Sequence, residues 1–100
     1  MRKICLMCSG GMSTSLIVSR MEKAAKEQGY ECEIAAYGTH CAAKLRDNPP
    51  DILLLAPQAR FMLKELERTI PCIVSLIDMA AYGSMDGTRI LNMAKRELGD

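Results

Sequence analysis

Asp51-Ile52-Leu53-Leu54-Leu55-Ala56, or DILLLA, is the most apolar run of the 100-residue chain. A short run with almost no polar alternation is typical of a strand that is buried on both faces. Such strands occur in parallel sheets whose two faces are covered by helices. Asn48-Pro49-Pro50 breaks the chain just before this strand. The stretch therefore predicts an α/β fold with a parallel sheet.

Short apolar runs and helical patterns alternate along the rest of the chain. The predicted strands are Lys3–Met7, Glu31–Ala36, Asp51–Ala56 and Cys72–Leu76. The predicted helices are Ser13–Gln28, Thr39–Arg46, Gln58–Arg68 and a last helix that starts near Asp86, after a looser stretch at Ile77–Ser84. The connections are long enough for helical crossovers, so the sequence predicts four parallel strands with helices on both faces. With the first strand central, the predicted strand order is 2-1-3-4.

The first predicted helix has one apolar face and one charged face. The apolar residues expected to face the sheet are Leu16, Ile17, Met21, Ala24 and Ala25. The charged residues expected to be solvated are Arg20, Glu22, Lys23, Lys26 and Glu27. Gly29 follows at a position where helices commonly end, and Thr39 is expected to cap the next helix.

Composition narrows the possible functions. Residues 1–100 suit one domain, with 49% apolar residues, 25% charged residues and a formal net charge of +1. This near-neutral balance and an aromatic content of 4% do not favour a nucleic-acid surface. No apolar run approaches the roughly 20 residues of a membrane-spanning helix, so no direct membrane insertion is expected. Five cysteines without a visible export signal favour reduced thiols in the cytoplasm.

The loop after the first strand is the candidate site. In open parallel sheets ligands bind beyond the carboxyl ends of the strands where the strand order reverses, here between the first and third strands. Cys8 ends the first strand, and Ala56-Pro57-Gln58 follows the third. Small residues, hydroxyls and a helix start after Cys8 suit an anion such as phosphate, and the same helix end favours a thiolate. The candidate phosphate-binding residues are Ser9, Gly10, Gly11, Met12, Ser13, Thr14 and Ser15.

Two other interpretations of Cys8 compete with this one. Cys8 can be a small buried residue beside an ordinary turn, in an interaction domain without catalysis. Cys5 and Cys8 also form a C-x-x-C pair, a pattern that elsewhere binds zinc or cycles as a disulfide. On a strand, residues three apart face opposite sides with Cα atoms roughly 10 Å apart, whereas a disulfide needs about 7 Å or less. We therefore expect Cys5 to pack in the core, and we predict no metal and no cofactor.

The loop shares a frame with the tyrosine phosphatases, in which a cysteine, five residues, an arginine and then Ser or Thr follow in order. Counted from Cys8, Thr14 stands at the arginine position and Ser15 follows it. The arginine would hold the phosphoryl group with two hydrogen bonds, and its absence weakens transition-state binding. Asp78 or Asp86 could supply the acid of a hydrolase, but nothing in the sequence places either one at the loop. The loop is better suited to accept and hold a phosphoryl group than to hydrolyse its ester.

Three segments resemble the lactose/cellobiose-type IIB components of the bacterial phosphoenolpyruvate-dependent sugar phosphotransferase system. CSGGMSTSLIVSRM, at residues 8–21, is similar to the family's active-site loop and first helix, with Gly10 where alanine is usual. DILLLAPQARFML resembles the family's strand and Gly-Pro-Gln turn, with Ala56 in place of glycine. IDMAAYGSMDGTRIL resembles its Tyr-Gly-x-x-Asp-Gly segment through Tyr82, Gly83, Asp86 and Gly87.

The resemblance implies a four-stranded parallel sheet on the low-molecular-weight tyrosine phosphatase frame, and a role in a phosphorelay. It identifies Cys8 as the residue that accepts a phosphoryl group from a phosphohistidine of the IIA component, and residues 9–15 as the loop that cradles this group. The phosphocysteine then passes the group to a sugar bound in the membrane IIC component. The implied protein is a cytoplasmic sugar phosphotransferase component, peripheral to the membrane through IIC. A low-molecular-weight cysteine phosphatase is the alternative.

Two residues outside the loop, Gln58 and Tyr82, are further candidates for a role at the site, whereas His40 is not. Gln58 either hydrogen-bonds the phosphoryl group or its loop, or is an ordinary polar residue at a helix start. Tyr82 either forms part of the rim where partners dock or packs under the last helix. His40, the sole histidine, lies on no recognisable phosphohistidine motif and is expected to be solvated.

Overall fold

Four strands form one parallel sheet in the predicted order, β2-β1-β3-β4. The computed structural model describes residues 1–8 and 12–100, without the side chains of residues 12 and 13. The strands are β1 (Arg2–Cys8), β2 (Cys32–Gly38), β3 (Ile52–Leu55) and β4 (Ile73–Leu76). β1 and β3 are central, and every residue of β3 is buried. The apolar run that predicted a parallel sheet therefore lies at the centre of one.

Helices connect the strands and cover both faces of the sheet. Within the described residues the α-helices are α1 (Met12–Gln28), α2 (Ala42–Asp47), α3 (Leu63–Thr69), α4 (Met79–Gly83) and α5 (Gly87–Leu98). Two 3₁₀ segments, Thr39–Cys41 and Pro57–Met62, lead into α2 and α3. Such tight turns are frequent at helix starts, where short segments cannot complete the wider α-helical bonding. None of the helices in the described part of the chain is both long and apolar enough to cross a bilayer.

Two predictions are wrong: that Thr39 caps a helix, and that the stretch Ile77–Ser84 contains no helix. Thr39 does not cap a helix: Gly38 stands at the cap position of the 3₁₀ segment, and no side chain there accepts a capping hydrogen bond. The predicted looser stretch at Ile77–Ser84 contains α4, which Asp78 caps by accepting a hydrogen bond from the Ala81 N–H at 3.1 Å. A helix of five residues is too short to show a periodic apolar pattern.

The buried side of α1 packs on the sheet. Four of the five apolar residues predicted to face the sheet are buried: Ile17, Met21, Ala24 and Ala25. Leu16 is 41% exposed, so its predicted inward position is wrong. Successive helical residues are about 100° apart, so position 16 lies about 120° from the centre of a stripe through positions 14, 17, 21 and 24, outside the buried face. Thr14 occupies the buried place at the start of the helix instead.

The close approach of α5 to α1 depends on Gly87. A Cβ atom at this position would lie 2.5 Å from the carbonyl carbon of Arg20 and 2.6 Å from the backbone nitrogen of Met21. The exposed Arg20 side chain, which was expected only to be solvated, donates a hydrogen bond to the Met85 carbonyl oxygen at 3.0 Å. Asp86 caps α5 by accepting from the Arg89 N–H at 3.1 Å. The Asp-Gly end of the third family-like segment therefore fixes α5 against α1.

Gly87→Ala is expected to destabilise the protein by about 1–3 kcal/mol, because backbone atoms of α1 must move to admit the methyl group. Gly83→Ala is the matched control, since a Cβ at that position would meet no atom of another element within 4 Å and alanine favours a helix over glycine. Urea denaturation of both variants and the wild type measures the difference. Equal free energies of unfolding for the two variants would contradict the close approach of α5 to α1.

Tyr30, Arg2 and Asp100 join three parts of the chain at the end of β1 away from Cys8. Arg2 Nε donates to the Asp100 carboxylate at 3.0 Å, and the Tyr30 hydroxyl donates to the same carboxylate. The hydrogen bonds from Arg2 and Tyr30 hold the pKa of Asp100 below its usual value. Partial burial and the hydrogen bond to Asp100 raise the pKa of Tyr30 to about 12.

Asp100→Asn is expected to lower the Tyr30 pKa from about 12. Part of the shift remains, because burial, its largest cause, is unchanged.

In the wild type, the Asp100 contribution to stability is present above the usual carboxyl pKa and is lost as the pH falls through the lowered one. The Tyr30 contribution is present below the usual tyrosine pKa and is lost as the pH rises through about 12. Tyrosinate absorbance measures the titration, Tyr30→Phe assigns its step, and an unmoved step in Asp100→Asn would disprove the link.

Candidate functional site

Cys8 is the last residue of the central strand β1. Its Cα pairs in register with Gly38 of β2, and on the other side the Ala56 N–H donates to the Met7 carbonyl oxygen at 2.9 Å. The ends of β1 and β3 therefore lie side by side at the carboxyl edge of the sheet, as the predicted strand order requires. The Cys8 side chain is 5% exposed and lies in the core that α1 and α5 cover.

Thr14 contacts the Cys8 sulfur. Its Oγ1 lies 2.7 Å from Sγ, in a hydrogen-bonding contact where either atom can donate. Thr14 is 2% exposed, and no other polar or charged residue is buried in the described part of the chain. This contact was not predicted from the sequence, because the phosphatase frame places Thr14 beside the phosphoryl group. One signal for it was available: Thr14 precedes the buried Ile17 and Met21 at helical spacings.

The rest of the predicted phosphate-binding loop is described only in part. Ser9, Gly10 and Gly11 lie outside the described residues, as do the side chains of Met12 and Ser13. The backbone of these last two residues opens α1, which starts one residue earlier than predicted, and Ser15 in the same turn is exposed. The first N–H groups of a helix carry partial positive charge. The carboxyl end of β1 therefore brings together the start of α1, the buried Thr14 hydroxyl and the buried Cys8 sulfur.

The two candidate residues beyond the loop differ in position. Gln58 is exposed on the 3₁₀ segment Pro57–Met62, which starts from the same sheet edge as the Cys8 loop. Tyr82 is buried in the same apolar core as Cys8. The structure thus places Tyr82 in the core that α1 and α5 cover, which favours packing over a place on an exposed rim.

Two large apolar side chains stand exposed on the segments that follow β3 and β4. Phe61 is 75% exposed on the segment after β3, and Met79 is 67% exposed just after β4. Aromatic residues and methionine are enriched in protein–protein interfaces. Neither residue was predicted to be exposed, because periodicity assigns apolar residues to the core. The sequence predicted one α-helix over Gln58–Arg68, but Pro57–Met62 is a 3₁₀ helix, so α-helical spacing does not say which of its side chains are buried.

The acidic residues considered for a hydrolase have structural roles. Asp78 caps α4 and forms an ion pair with Arg89 at 3.2 Å, and Asp86 caps α5. Because Asp78 and Asp86 both hold helix ends, they do not favour the hydrolase interpretation.

His40 is exposed, as predicted, on the Thr39–Cys41 segment, and its ring lies against Gly38.

Cys5 faces away from Cys8. It is buried in the opposite core, which α2 and α3 cover, and burial raises the pKa of its thiol to about 11. Among residues 1–8 and 12–100, no group of three or more His, Cys, Asp and Glu residues could hold a metal ion. The two cysteines of the C-x-x-C pair lie on opposite faces of the sheet, and no further metal ligands lie beside them in the described part of the chain. The structure therefore favours core packing for Cys5.

Cys5 is expected to resist iodoacetamide at neutral pH in the folded protein and to react once urea unfolds it. The reason is that its thiol is buried and holds its proton far above neutral pH. Peptide mapping by mass spectrometry measures the alkylated fraction, and the partly exposed Cys41 is the internal control. Recovery of a Cys5–Cys8 disulfide from oxidised, folded protein would refute the opposite-face assignment.

Comparison with known proteins relates most of the chain to one family. Residues 3–93 match the family described as the lactose/cellobiose-specific IIB subunit of the phosphotransferase system. The chain is 41% identical over 97 residues to the oligo-beta-mannoside-specific EIIB component of Bacillus subtilis strain 168, covering 94% of this chain and 93% of that protein. It is 40% identical over 99 residues to the galactose-specific EIIB component of Lactococcus lactis subsp. cremoris strain MG1363, covering 92% of each.

A solved structure agrees with this assignment. The solution structure of the cellobiose-specific phosphotransferase IIB component from Borrelia burgdorferi superposes with a TM-score of 0.78 at 37% identity, covering 98% of this chain and 92% of that one. IIB domains of this kind have a phosphatase-like fold, so both the predicted frame and the family resemblance are confirmed.

Proposed function

Because the chain belongs to the lactose/cellobiose-specific IIB family of the sugar phosphotransferase system, we propose that Cys8 is the residue through which it carries a phosphoryl group. A IIB component is a phosphoryl carrier in this system and works with IIA and IIC components. The position of Cys8 supports the assignment: its sulfur ends the central strand, beside the start of α1 and in contact with Thr14. In this proposal residues 9–15 hold the phosphoryl group.

The first step is transfer from a phosphohistidine of the IIA component. The Cys8 thiolate attacks the phosphorus, the S–P bond forms as the N–P bond breaks, and the electron pair stays on the imidazole nitrogen. The N–H groups at the start of α1 supply positive charge for the phosphoryl oxygens. In this proposal IIA presents its histidine at the carboxyl edge of the sheet, and the exposed Phe61 and Met79, on the segments that follow β3 and β4, offer it apolar contacts.

The second step is transfer to a sugar bound in the membrane IIC component. A sugar hydroxyl attacks the phosphorus, the O–P bond forms as the S–P bond breaks, and the electron pair returns to the Cys8 sulfur. The hydroxyl proton passes to a base of IIC or to water. We place the protein, as a single domain, in the cytoplasm and at the membrane only through IIC. The two relatives are named for different sugars at 41% and 40% identity, which supports placing the choice of sugar in IIC.

Two observations favour a carrier over a low-molecular-weight cysteine phosphatase. Thr14, at the arginine position of that frame, contacts the Cys8 sulfur and brings no guanidinium to the phosphoryl oxygens. Asp78 and Asp86 cap helices, whereas a hydrolase needs an acid or base at its leaving group and its water. The site thus has parts that suit holding and releasing a phosphoryl group.

Incubation with phosphoenolpyruvate and the upstream carriers of the system is expected to add one phosphoryl group to the wild type. Cys8→Ala should remove the adduct, because no other sulfur ends the central strand, and Cys41→Ala should leave it unchanged. Intact mass spectrometry counts the adducts. An adduct that persists in Cys8→Ala would overturn the assignment, and steady turnover of an aryl phosphate by the protein alone would support the phosphatase.

A further inference from the structure

His40, the sole histidine of the chain, lies at the same edge of the sheet as Cys8. Gly38, the last residue of β2, pairs in register with Cys8. A Cβ atom at Gly38 would lie 2.7 Å from Cε1 and 2.8 Å from Nδ1 of the His40 ring. The imidazole therefore occupies the space that a side chain at position 38 would fill, on the strand next to the proposed reacting cysteine.

The His40 ring and the Cys8 sulfur are on the same face of the sheet. Paired residues of a parallel ladder point to one face, and side chains alternate along each strand. Ile4 and Ile34 are such a pair, and both pack in the core that contains Cys8. A side chain at position 38, four residues after Ile34, would point to this face as well. Neighbouring strands are about 5 Å apart, so the ring lies within reach of oxygens carried on the Cys8 sulfur.

We propose that His40 binds the phosphoryl group that Cys8 carries, by donating a ring N–H to one of its oxygens. This inference rests on the proposed function of Cys8 and adds a binding residue from outside residues 9–15. His40 keeps its proton and takes no phosphoryl group itself. In both transfers the only bonds that form and break are those already described at the phosphorus.

The chemistry of imidazole suits this place. A neutral imidazole has one ring N–H, and an imidazolium has two. The phosphoryl oxygens are charged, and a hydrogen bond to an ionised acceptor is roughly twice as strong as one between neutral groups. Thr14 stands where the phosphatase frame has its arginine, but it contacts the sulfur. In this proposal β2 therefore supplies a side-chain donor to the oxygens, from the exposed side of the site where His40 lies.

The bond favours the charged carrier. In the loose transition state of phosphoryl transfer the moving group resembles metaphosphate, so its oxygens carry no more charge than those of the phosphocysteine. The bond therefore stabilises the phosphocysteine at least as much as the transition state, and its loss does not slow discharge. The uncharged carrier has no phosphoryl group to bind. Loss of the bond is thus expected to lower the phosphorylated fraction at equilibrium.

Two variants of His40 separate the N–H donor from the packing of the ring. His40→Phe keeps an aromatic ring against Gly38 and removes both ring nitrogens, whereas His40→Gln keeps an N–H donor without the ring. If the ring only packs, Phe should match the wild type and Gln should be the defective variant. If the N–H binds the phosphoryl group, the order is reversed.

Gly38→Ala moves the ring while His40 itself is unchanged. Gly38 has an extended backbone, with φ −79° and ψ 166°, which alanine adopts without strain. The new methyl group would collide with the end of the His40 side chain, which must move away. Gly38→Ala is therefore expected to lose as much as His40→Phe, and the double variant should lose no more than either single one.

The test is the equilibrium of phosphoryl transfer between phosphorylated IIA component and each variant, in a mixture dilute enough that the two proteins are free. Intact mass spectrometry gives the phosphorylated fraction of both proteins. His40→Phe is expected to lower the equilibrium constant for charging about 3- to 10-fold, the effect of one partly exposed hydrogen bond, with discharge no slower than in the wild type. His40→Gln should lie closer to the wild type. Because free proteins set this equilibrium, a change in IIA docking alone does not alter it.

The single histidine also gives a direct spectroscopic signal. With isotopic labelling of this chain alone, phosphorylation of the wild type is expected to shift the ring resonances of His40. Cys8→Ala in the same mixture takes no adduct in the proposed function and should show no shift. Gly38→Ala, in which the ring is displaced, should show a smaller one. Ring resonances that do not move in the phosphorylated wild type would overturn the role of His40.

The other outcomes are equally decisive. A wild-type equilibrium constant in His40→Phe, or a change in the charging rate without a change in that constant, overturns phosphoryl binding by His40 and leaves the proposed function standing. The same holds if His40→Gln loses as much as His40→Phe, since the loss then follows the ring and not the donor. A wild type that takes no phosphoryl group on Cys8 overturns the proposed function, and the role of His40 with it. Thermal unfolding checks that each variant is folded.

Discussion

The seating of α1 is the constraint on which the site depends. Its buried stripe runs from Thr14, against the Cys8 sulfur, through Met21, whose backbone lies against Gly87 of α5. A helix advances about 1.5 Å and turns about 100° with each residue. A shift of one residue along α1 would therefore turn the Thr14 hydroxyl away from the sulfur. By letting α5 pack closely on α1 at Met21, Gly87 thus helps to fix the contact between Thr14 and Cys8, which lies more than one helical turn away along α1.

The alternation of side chains along β1 is the second constraint. Cys5 and Cys8 are three positions apart and so lie in opposite cores, one under α2 and α3 and the other under α1 and α5. The same alternation that removes Cys5 from the site brings Cys8 to the face where α1 begins. A C-x-x-C pair placed at a helix start would have both sulfurs near one ligand. On a strand, the pattern leaves a single thiol at the sheet edge.

The sequence predicted a parallel sheet, because a run buried on two faces and long crossovers indicate one. Placing the first strand at the centre gave the strand order and the position of Cys8 at the sheet edge, and the structure has both. It missed α4, since five residues carry no periodic signal. It misplaced Leu16, because adjacent apolar residues in a helix leave the centre of the buried stripe ambiguous. It assigned Thr14 by its place in the phosphatase frame, which states which residue stands in the arginine position but not the atom it contacts. That atom depends on how α1 packs.

A carrier must keep its phosphoryl group until the acceptor arrives and then release it quickly. An arginine over the phosphoryl oxygens stabilises attack on phosphorus by any nucleophile, water included. Thr14, which stands at the arginine position here, contacts the sulfur and supplies no such group to the phosphoryl oxygens. Under the proposed mechanism the choice between sugar, histidine and water is therefore left to whichever partner covers the carboxyl edge. During discharge the attacking atom belongs to the partner or to its bound sugar, so the partner positions it, while Cys8 stays buried at the end of β1.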